Sequence, residues 1–380
     1  MKKALGLIMI AVFCLVMFAG QGSAQIGSKY KLPTTTLPEA MRPADTEQLI
    51  EPAAEIPPES MQKFVRPKTV LEERLQFVRP KTVLYVTLYE FKEKWNASAN
   101  ASRLAVDSSG NLYVACHDNY VRKYSPEWDL LASWDTNGDI GGIVVDPTDS
   151  YVYVALQDSH KIKRFETNGT FSLEWGGPGS GDGKFENPRA MDVDSAGNVY
   201  VVDLNHDRIQ KFDPEGSFLT KWEVAPDLPR FDVYIKDIAV RGNSVYLIND
   251  VNTIYKYDTA GNYELEWEII SGGFPLPATR IAIDSDGNVY VQISGMHQPI
   301  GYRIVKCSST GKLENWNIIL QENLPNAVYP YGMVFDRAFE NLYMIGLDVW
   351  SGGGEPPPGT PSHVYRFVQK RTRLIRTLER

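Results

Sequence analysis

The chain has 380 residues, 43% hydrophobic and 11% aromatic, enough to bury one large core or two ordinary ones and too apolar for disorder throughout. Its 39 basic and 47 acidic side chains give a formal charge of -8, the wrong sign for attraction to phosphate backbones, so no nucleic-acid partner is expected. Thirty Gly, 24 Pro, 20 Tyr and 8 Trp describe a turn-rich, aromatic-rich chain of many short strands.

Met-Lys-Lys opens the chain, an apolar run follows from Ala4 to Ala19, and Gly20-Gln-Gly-Ser-Ala24-Gln25 closes it. A charged start, an apolar middle and small residues before a cut form a secretory signal peptide, so residues 1–24 are expected to be removed after Ala24. The run falls short of the ~20 apolar residues of a spanning helix. Cys14 lies inside it rather than at its end, where a lipid attachment would need it. Loss of Lys2 and Lys3 takes the charge from -8 to -10. The expected product is exported, periplasmic or extracellular, and monomeric, with no membrane insertion after cleavage. Cys116 and Cys307 then remain, in different repeats, and are expected as two buried thiols rather than a disulfide.

Residues 25–82 have a Pro-rich, acidic texture, as in Glu51-Pro-Ala-Ala-Glu55-Ile-Pro-Pro-Glu59, which cannot bury enough apolar surface to order itself and predicts a linker or tether. It contains a tandem duplication: Phe64-Val-Arg-Pro-Lys-Thr-Val-Leu71 recurs at Phe77–Leu84. Slippage accounts for it more simply than a docking motif used twice.

From residue 83 the chain repeats. Leu104-Ala-Val-Asp107 with Gly110-Asn-Leu-Tyr-Val114 returns at Met191–Asp194 with Gly197–Val201, and at Ile281–Asp284 with Gly287–Val291. Weaker copies start at Ile143, Ile238 and Met333. The repeated tyrosines, Tyr113, Tyr153, Tyr200, Tyr246, Tyr290 and Tyr343, step by 40, 47, 46, 44 and 53 residues. A parallel series, Trp95, Trp134, Trp175, Trp222, Trp267 and Trp316, steps by 39, 41, 47, 45 and 49. Each unit holds four short alternating runs separated by Gly and Asp turns such as Asp213-Pro-Glu-Gly216. Four strands at a period of ~45 residues predict an all-β, six-bladed β-propeller of four-stranded antiparallel blades over 83–370, followed by a basic tail at 371–380. On each first strand the residues one and three before the Asp are large, and those two and four before it are mostly smaller. One blade's large face can therefore seat on its neighbour's small one. The last repeat lacks a Trp-bearing fourth strand, and the orphan segment Tyr85–Trp95 supplies it, so an N-terminal strand is expected to complete the last blade.

The run Trp175-Gly-Gly-Pro-Gly-Ser-Gly-Asp-Gly-Lys-Phe-Glu-Asn-Pro-Arg189-Ala-Met-Asp-Val-Asp194, with Gly197-Asn-Val-Tyr-Val-Val-Asp203-Leu-Asn-His206 after it, resembles an NHL repeat of the bacterial exported, six-bladed type. The resemblance covers about 83–369. It implies a propeller that presents loops around a central channel. It implies no single activity, since the family includes binding scaffolds, extracellular sensors and a few lyases.

Loops into the first strand and between the second and third strands open on one face, and the long insertions fall there: 175–188, 294–302 and 346–363. That face is expected to bind. Aligned on the strand-ending Asp, its mouth reads Ser102-Arg103, Gly141-Gly142, Arg189-Ala190, Lys236-Asp237, Thr279-Arg280 and Tyr331-Gly332. Arg103, Arg189, Lys236, Arg280 and Tyr331, joined by His297 and Trp350 from the insertions, are the candidates for holding an anionic or carbohydrate ligand by forked hydrogen bonds and stacking. Salt bridging to the repeated Asp explains the cations equally well.

No cofactor is expected. Peptidyl-amidating lyases resemble this fold and hold zinc through three histidines in the channel. Here His117, His160 and His206 occupy or adjoin one repeated slot and point away from one another, which leaves His297 and His363 as the metal candidates. Asp135-Thr-Asn-Gly-Asp139 and Asp284-Ser-Asp-Gly-Asn288 imitate calcium loops but lack the twelfth-position Glu. The expectation is a binding or scaffolding module without catalysis, engaging a protein, peptide or carbohydrate. The alternative is an extracytoplasmic metal-dependent lyase with its site in the channel, while RNA binding, as in the NHL domains of tripartite-motif proteins, is disfavoured by acidity and export.

Overall fold

The computed structural model describes residues 84–97, 101–224, 234–271, 274–275, 277–293, 303–315, 319–320, 328–348 and 362–374. The expected signal peptide and tether, the duplicated segment up to Val83, and the last six residues of the expected tail lie outside the described residues.

The described chain folds as a six-bladed propeller. Blade 1 is Ala101–Val106, Leu112–Cys116, Tyr120–Tyr124 and Leu130–Asp135, paired in that order and antiparallel throughout. Blades 2 to 5 repeat the arrangement and begin at Ile140–Val145, Pro188–Val193, Ile235–Arg241 and Ala278–Ile283. Burial follows strand position. The second strands are buried along their length, as in Val199–Asp203, whereas outer strands alternate half-buried and exposed, as in Phe218–Glu223. The first strands touch one another in sequence and the sixth returns to the first, which closes the ring.

The sixth blade is built from both ends of the propeller sequence. Val328–Phe335, Asn341–Asp348 and His363–Leu374 supply its inner three strands, and Leu84–Asn96 pairs antiparallel to the third as the fourth. This is the closure expected from the orphan Trp-bearing segment. Two details were not anticipated. The third strand runs on to Leu374, into the residues read as a tail, and Ile319–Leu320 adds a short parallel strand outside Leu84–Asn96.

The core is six layers between blades rather than one central mass. Tyr113 and Ala105 of blade 1 pack on Ile143 and Val145 of blade 2, and Tyr200 of blade 3 packs on Ile238 and Val240 of blade 4. The same large-on-small seating recurs at each remaining interface, as the alternation on the first strands predicts. Tyr113, Tyr153, Tyr200, Tyr246 and Tyr343 are among the largest fully buried side chains, which explains the aromatic period.

The tryptophan period has its own cause. The Trp175 ring lies against the backbone of Gly216, which has φ +81 and would carry a Cβ only 2.8 Å from the indole. Trp134, Trp222 and Trp267 meet Gly169, Gly261 and Gly311 in the same way. At the seam between blades 6 and 1 the glycine slot holds Trp128, at φ 74, and its ring stacks on Trp95 at 5.3 Å and 10°. A second device ties blades 6, 1 and 2 together. Asp149 of blade 2 accepts the backbone N–H of Ser108 in blade 1 at 3.2 Å and pairs with Arg337 of blade 6 at 2.8 Å.

Cys116 and Cys307 are both buried and form no disulfide. Burial pushes the Cys307 thiol up to about 11.

Candidate functional site

The repeated Asp-x-x-Gly-Asn-x-Tyr signature is consumed by its own turn. Asp194 accepts the backbone N–H groups of Ala196 and Asn198 at 3.0 and 2.9 Å, the Asn198 amide at 2.8 Å and the Tyr200 hydroxyl at 3.0 Å. Lys211 lies 3.7 Å from the same carboxylate. Asp107 and Asp284 are filled in the same way. The Asp284 calcium-loop look-alike is therefore a turn whose carboxylate already has donors. Asp135 caps the N–H of Asn137 at 2.7 Å. Among the described residues no three His, Cys, Asp or Glu gather around one point.

At the opposite end of the first strands, every blade carries a register shift at the channel mouth, between Ala101 and Arg103, Ile140 and Gly142, Pro188 and Met191, Ile235 and Asp237, Ala278 and Arg280, and Pro330 and Gly332. A bulge re-aims the side chains next to it, and here it falls on the residues aligned by sequence as the mouth.

A cavity of about 580 Å³ runs through the ring, walled by the first strands of all six blades. Arg103, Asp237 and Arg280 line it toward the mouth, and Arg241, Asp336 and Arg337 line it toward the turns. Arg103 Nε donates to the carbonyl of Gly141 in the next blade at 3.0 Å, and its Nη1 donates to Ser102 O at 3.1 Å. Arg280 Nη1 donates to Thr279 O at 2.8 Å. Lys236 donates to Ala278 O at 3.0 Å. The Arg189 guanidinium sits 5.3 Å from the Tyr234 ring centre, a cation–π distance.

None of these three arginines forms an ion pair among the described residues, whereas Arg208 pairs with Asp203 at 2.7 Å and Arg337 with Asp149. The mouth cations thus do not bridge to the repeated Asp. Their electrostatics are dominated by burial. Burial first, and then the charge of Arg280, push Arg103 down to about 9. Arg189, Arg280 and Lys236 are lowered too, by burial first and, for Arg189, by Arg280 next. A guanidinium does not lose its proton in a protein, so these shifts register loss of water around the cations, opposed at Arg103 and Arg280 by the charge of Asp237.

Two carboxylates in the channel had no reading from sequence. Asp192 Oδ2 accepts the N–H of Val240 at 2.6 Å, and Asp237 Oδ2 accepts that of Ile281 at 3.0 Å. Each caps a backbone donor on the inner edge of the following blade. Burial pushes Asp192 up to about 7 and raises Asp237, opposed in the latter by Arg280. The available signal was Asp192 standing where the other blades place Ala105, Val144, Ala239, Ala282 and Val334.

Of the remaining candidates, Tyr331 lies in the first strand of blade 6 at the mouth, and His297 and Trp350 lie outside the described residues. His363 begins the third strand of blade 6, opposite Asn96 and Gly346, with its ring 6.2 Å from Tyr365. His160 Nδ1 accepts the N–H of Asn187 at 3.0 Å, and His206 faces Asp203 at 3.0 Å. Both are engaged locally, as turn residues.

No family profile matches the chain, and no curated protein matches it by sequence. Among solved structures it is similar to virginiamycin B lyase from Staphylococcus aureus, at 13% identity over 75% of this chain and 99% of that one, with a TM-score of 0.49. Hydrazine synthase from Kuenenia stuttgartiensis matches at 14% identity over 66% and 75% of the two chains, TM-score 0.49. A streptogramin B lyase matches at 12% over 74% and 98%, TM-score 0.47. The six-bladed assignment rests on the strand pairing described above.

Proposed function

We propose that this chain is an exported propeller of NHL-like repeats that binds an anionic ligand, or the anionic group of a protein or carbohydrate partner, at the channel mouth and performs no reaction of its own. The observation that carries this reading is the pair of half-buried guanidiniums of Arg103 and Arg280 lining one end of a cavity of about 580 Å³, with Arg189 and Lys236 one position earlier in the repeat and no ion pair to any of the four among the described residues. That volume falls in the usual range for small-ligand sites. Holding several half-buried cations near one another with Asp237 as the acidic neighbour leaves positive charge in partial excess there, and an incoming anion gains most where water is scarce.

The test is thermal stability of the purified protein against a panel of small anions at constant ionic strength. Wild type is expected to be stabilised by at least one anion in a saturable manner, and an Arg189→Ala, Arg280→Ala double variant is expected to lose that response. A folded double variant that responds as the wild type does would sink the proposal. Stoichiometric zinc or calcium in the protein, lost on His297→Ala, would instead favour the lyase.

A further inference from the structure

We propose that the channel takes a zwitterion, an ω-amino carboxylate, with its carboxylate on Arg103 and Arg280 at the mouth and its amino group on Asp192 one layer deeper. This rests on the channel-mouth reading above and deepens it by naming the ligand class.

Strand register orders the channel wall. In every blade one residue of the first strand stands opposite the repeated tyrosine: Ala105, Val144, Asp192, Ala239, Ala282 and Val334. Asp192 is the one polar side chain of that layer. Two residues nearer the mouth the blades carry Arg103, Gly142, Ala190, Asp237, Arg280 and Gly332. Both layers line the cavity of about 580 Å³. Residues two apart on a strand share a face and stand about 7 Å apart along it.

The two layers are opposite in charge. Two guanidiniums and one carboxylate leave the mouth layer at +1, and the layer below holds Asp192 alone. Asp237 tempers both arginines and caps the Ile281 N–H, yet one positive charge stays in excess. Arg103 spends Nε and Nη1 on carbonyls and Arg280 spends Nη1, so among the described residues each keeps its Nη2 group for a ligand.

Asp192 has capacity left as well. Its Oδ1 takes the Val193 N–H at 2.8 Å and its Oδ2 takes the Val240 N–H at 2.6 Å. An ionised carboxylate offers about four acceptor positions, and among the described residues no cation pairs with this one. The side chain is half-buried against the channel, and alanines at 105, 239 and 282 leave room there for an aliphatic chain. Burial holds the Asp192 proton up to about 7, and a carboxylate so placed gains from a cation brought to it.

Layer spacing sets the length of the ligand. An α-amino acid keeps its charges within about 3 Å of each other and cannot serve both layers, whereas roughly three or four methylenes between amine and carboxylate can.

Calorimetric titration of the full chain at pH 8, where Asp192 is ionised, tests this with glycine, γ-aminobutyrate, δ-aminovalerate, γ-hydroxybutyrate, butyrate and butylamine at matched ionic strength. γ-Aminobutyrate or δ-aminovalerate is expected to bind at one site per chain, on the order of tenfold to a hundredfold tighter than butyrate or γ-hydroxybutyrate, with glycine weaker than either amino acid. Asp192→Asn keeps an acceptor for the Val240 N–H and removes the charge. It is expected to bring the amino acids down to the level of butyrate, with unchanged far-ultraviolet circular dichroism. Butyrate or γ-hydroxybutyrate binding as tightly as γ-aminobutyrate would overturn the zwitterion and leave the anionic mouth standing. Glycine binding most tightly would put the amino group at the mouth and overturn the role of Asp192, as would a preference for amino acids that survives in Asp192→Asn. Binding by none of the six, or by butylamine alone, would overturn the zwitterion, and a silent small-anion panel would overturn the mouth reading with it.

Discussion

Asp192→Asn is the substitution whose effect on stability has a computable pH dependence. Burial raises the Asp192 carboxyl from 3.8 to about 7, a shift of roughly three units, and each unit is about 1.4 kcal/mol. Because the folded-state value lies above the unfolded one, the folded chain holds the extra proton between about pH 4 and pH 7. Stability from this group is therefore full below pH 4 and is lost as pH rises through 7. The ceiling is ~4 kcal/mol, and water in the channel brings the working figure nearer ~2 kcal/mol. Asparagine removes the charge and keeps one oxygen for the Val240 N–H, but it gives up the second acceptor, which now takes the Val193 N–H at 2.8 Å, at a cost of ~1 kcal/mol.

The two effects oppose each other, so the variant is expected to be about 0.5 kcal/mol less stable than the parent at pH 4 and about 1 kcal/mol more stable at pH 8, with the sign changing between pH 4 and pH 5. Equilibrium urea unfolding followed by tryptophan fluorescence at pH 4, 5, 6 and 8 reads this directly, since every other titrating group is common to both proteins. A stability difference that stays constant from pH 4 to pH 8 would refute the reasoning.

Three further expectations follow from packing and from the mouth. Gly216→Ala meets both a left-handed backbone and the Trp175 ring, whereas Gly242→Ala, at φ +58 with nothing within 4 Å, meets only the backbone. The first is expected to cost about 2–4 kcal/mol and the second about 1 kcal/mol in thermal unfolding, and equal losses would show that the ring does not matter. Trp128→Ala removes the stack on Trp95 across the closing seam and is expected to lower stability by more than the ~1 kcal/mol of the stack alone, because apolar area goes with it; limited proteolysis between residues 96 and 101 should quicken in parallel. At the mouth, Arg189→Ala with Arg280→Ala should abolish the anion-dependent rise in melting temperature and, because Asp237 loses the charge of Arg280, raise the Asp237 carboxyl further.

The repeat was legible in sequence because its causes are local. An alternating strand, an Asp that captures its own turn and a Tyr that returns to that Asp all act within about ten residues, so each leaves a periodic mark. Closure was legible for a related reason: a Trp-bearing strand without a blade at one end matched a blade without that strand at the other. The tryptophans were visible as a period, but their reason was not, because each ring rests on a glycine in the turn of the next blade, one full repeat away. Trp128 shows the limit, since in sequence it looks like an irregular turn and only the fold places it on Trp95.

At the mouth, alignment of the repeats put Arg103 and Arg280 in one register and Arg189 and Lys236 one residue earlier, and of these the channel wall carries Arg103 and Arg280. What the alignment left open was their partners. Bridging to the repeated Asp was as good a reading until the structure showed that carboxylate engaged by Asn198 and Tyr200 in blade 3, and by their counterparts in blades 1 and 5. Asp192 and Asp237 were invisible as functional groups, since their acceptors' targets are backbone N–H groups on a neighbouring blade. Sequence by itself thus determined the number of blades, the strands and the way the ring closes, all consequences of short-range patterning. Tertiary structure alone decided which charges are neutralised, because pairing depends on what the adjoining blade presents across the channel.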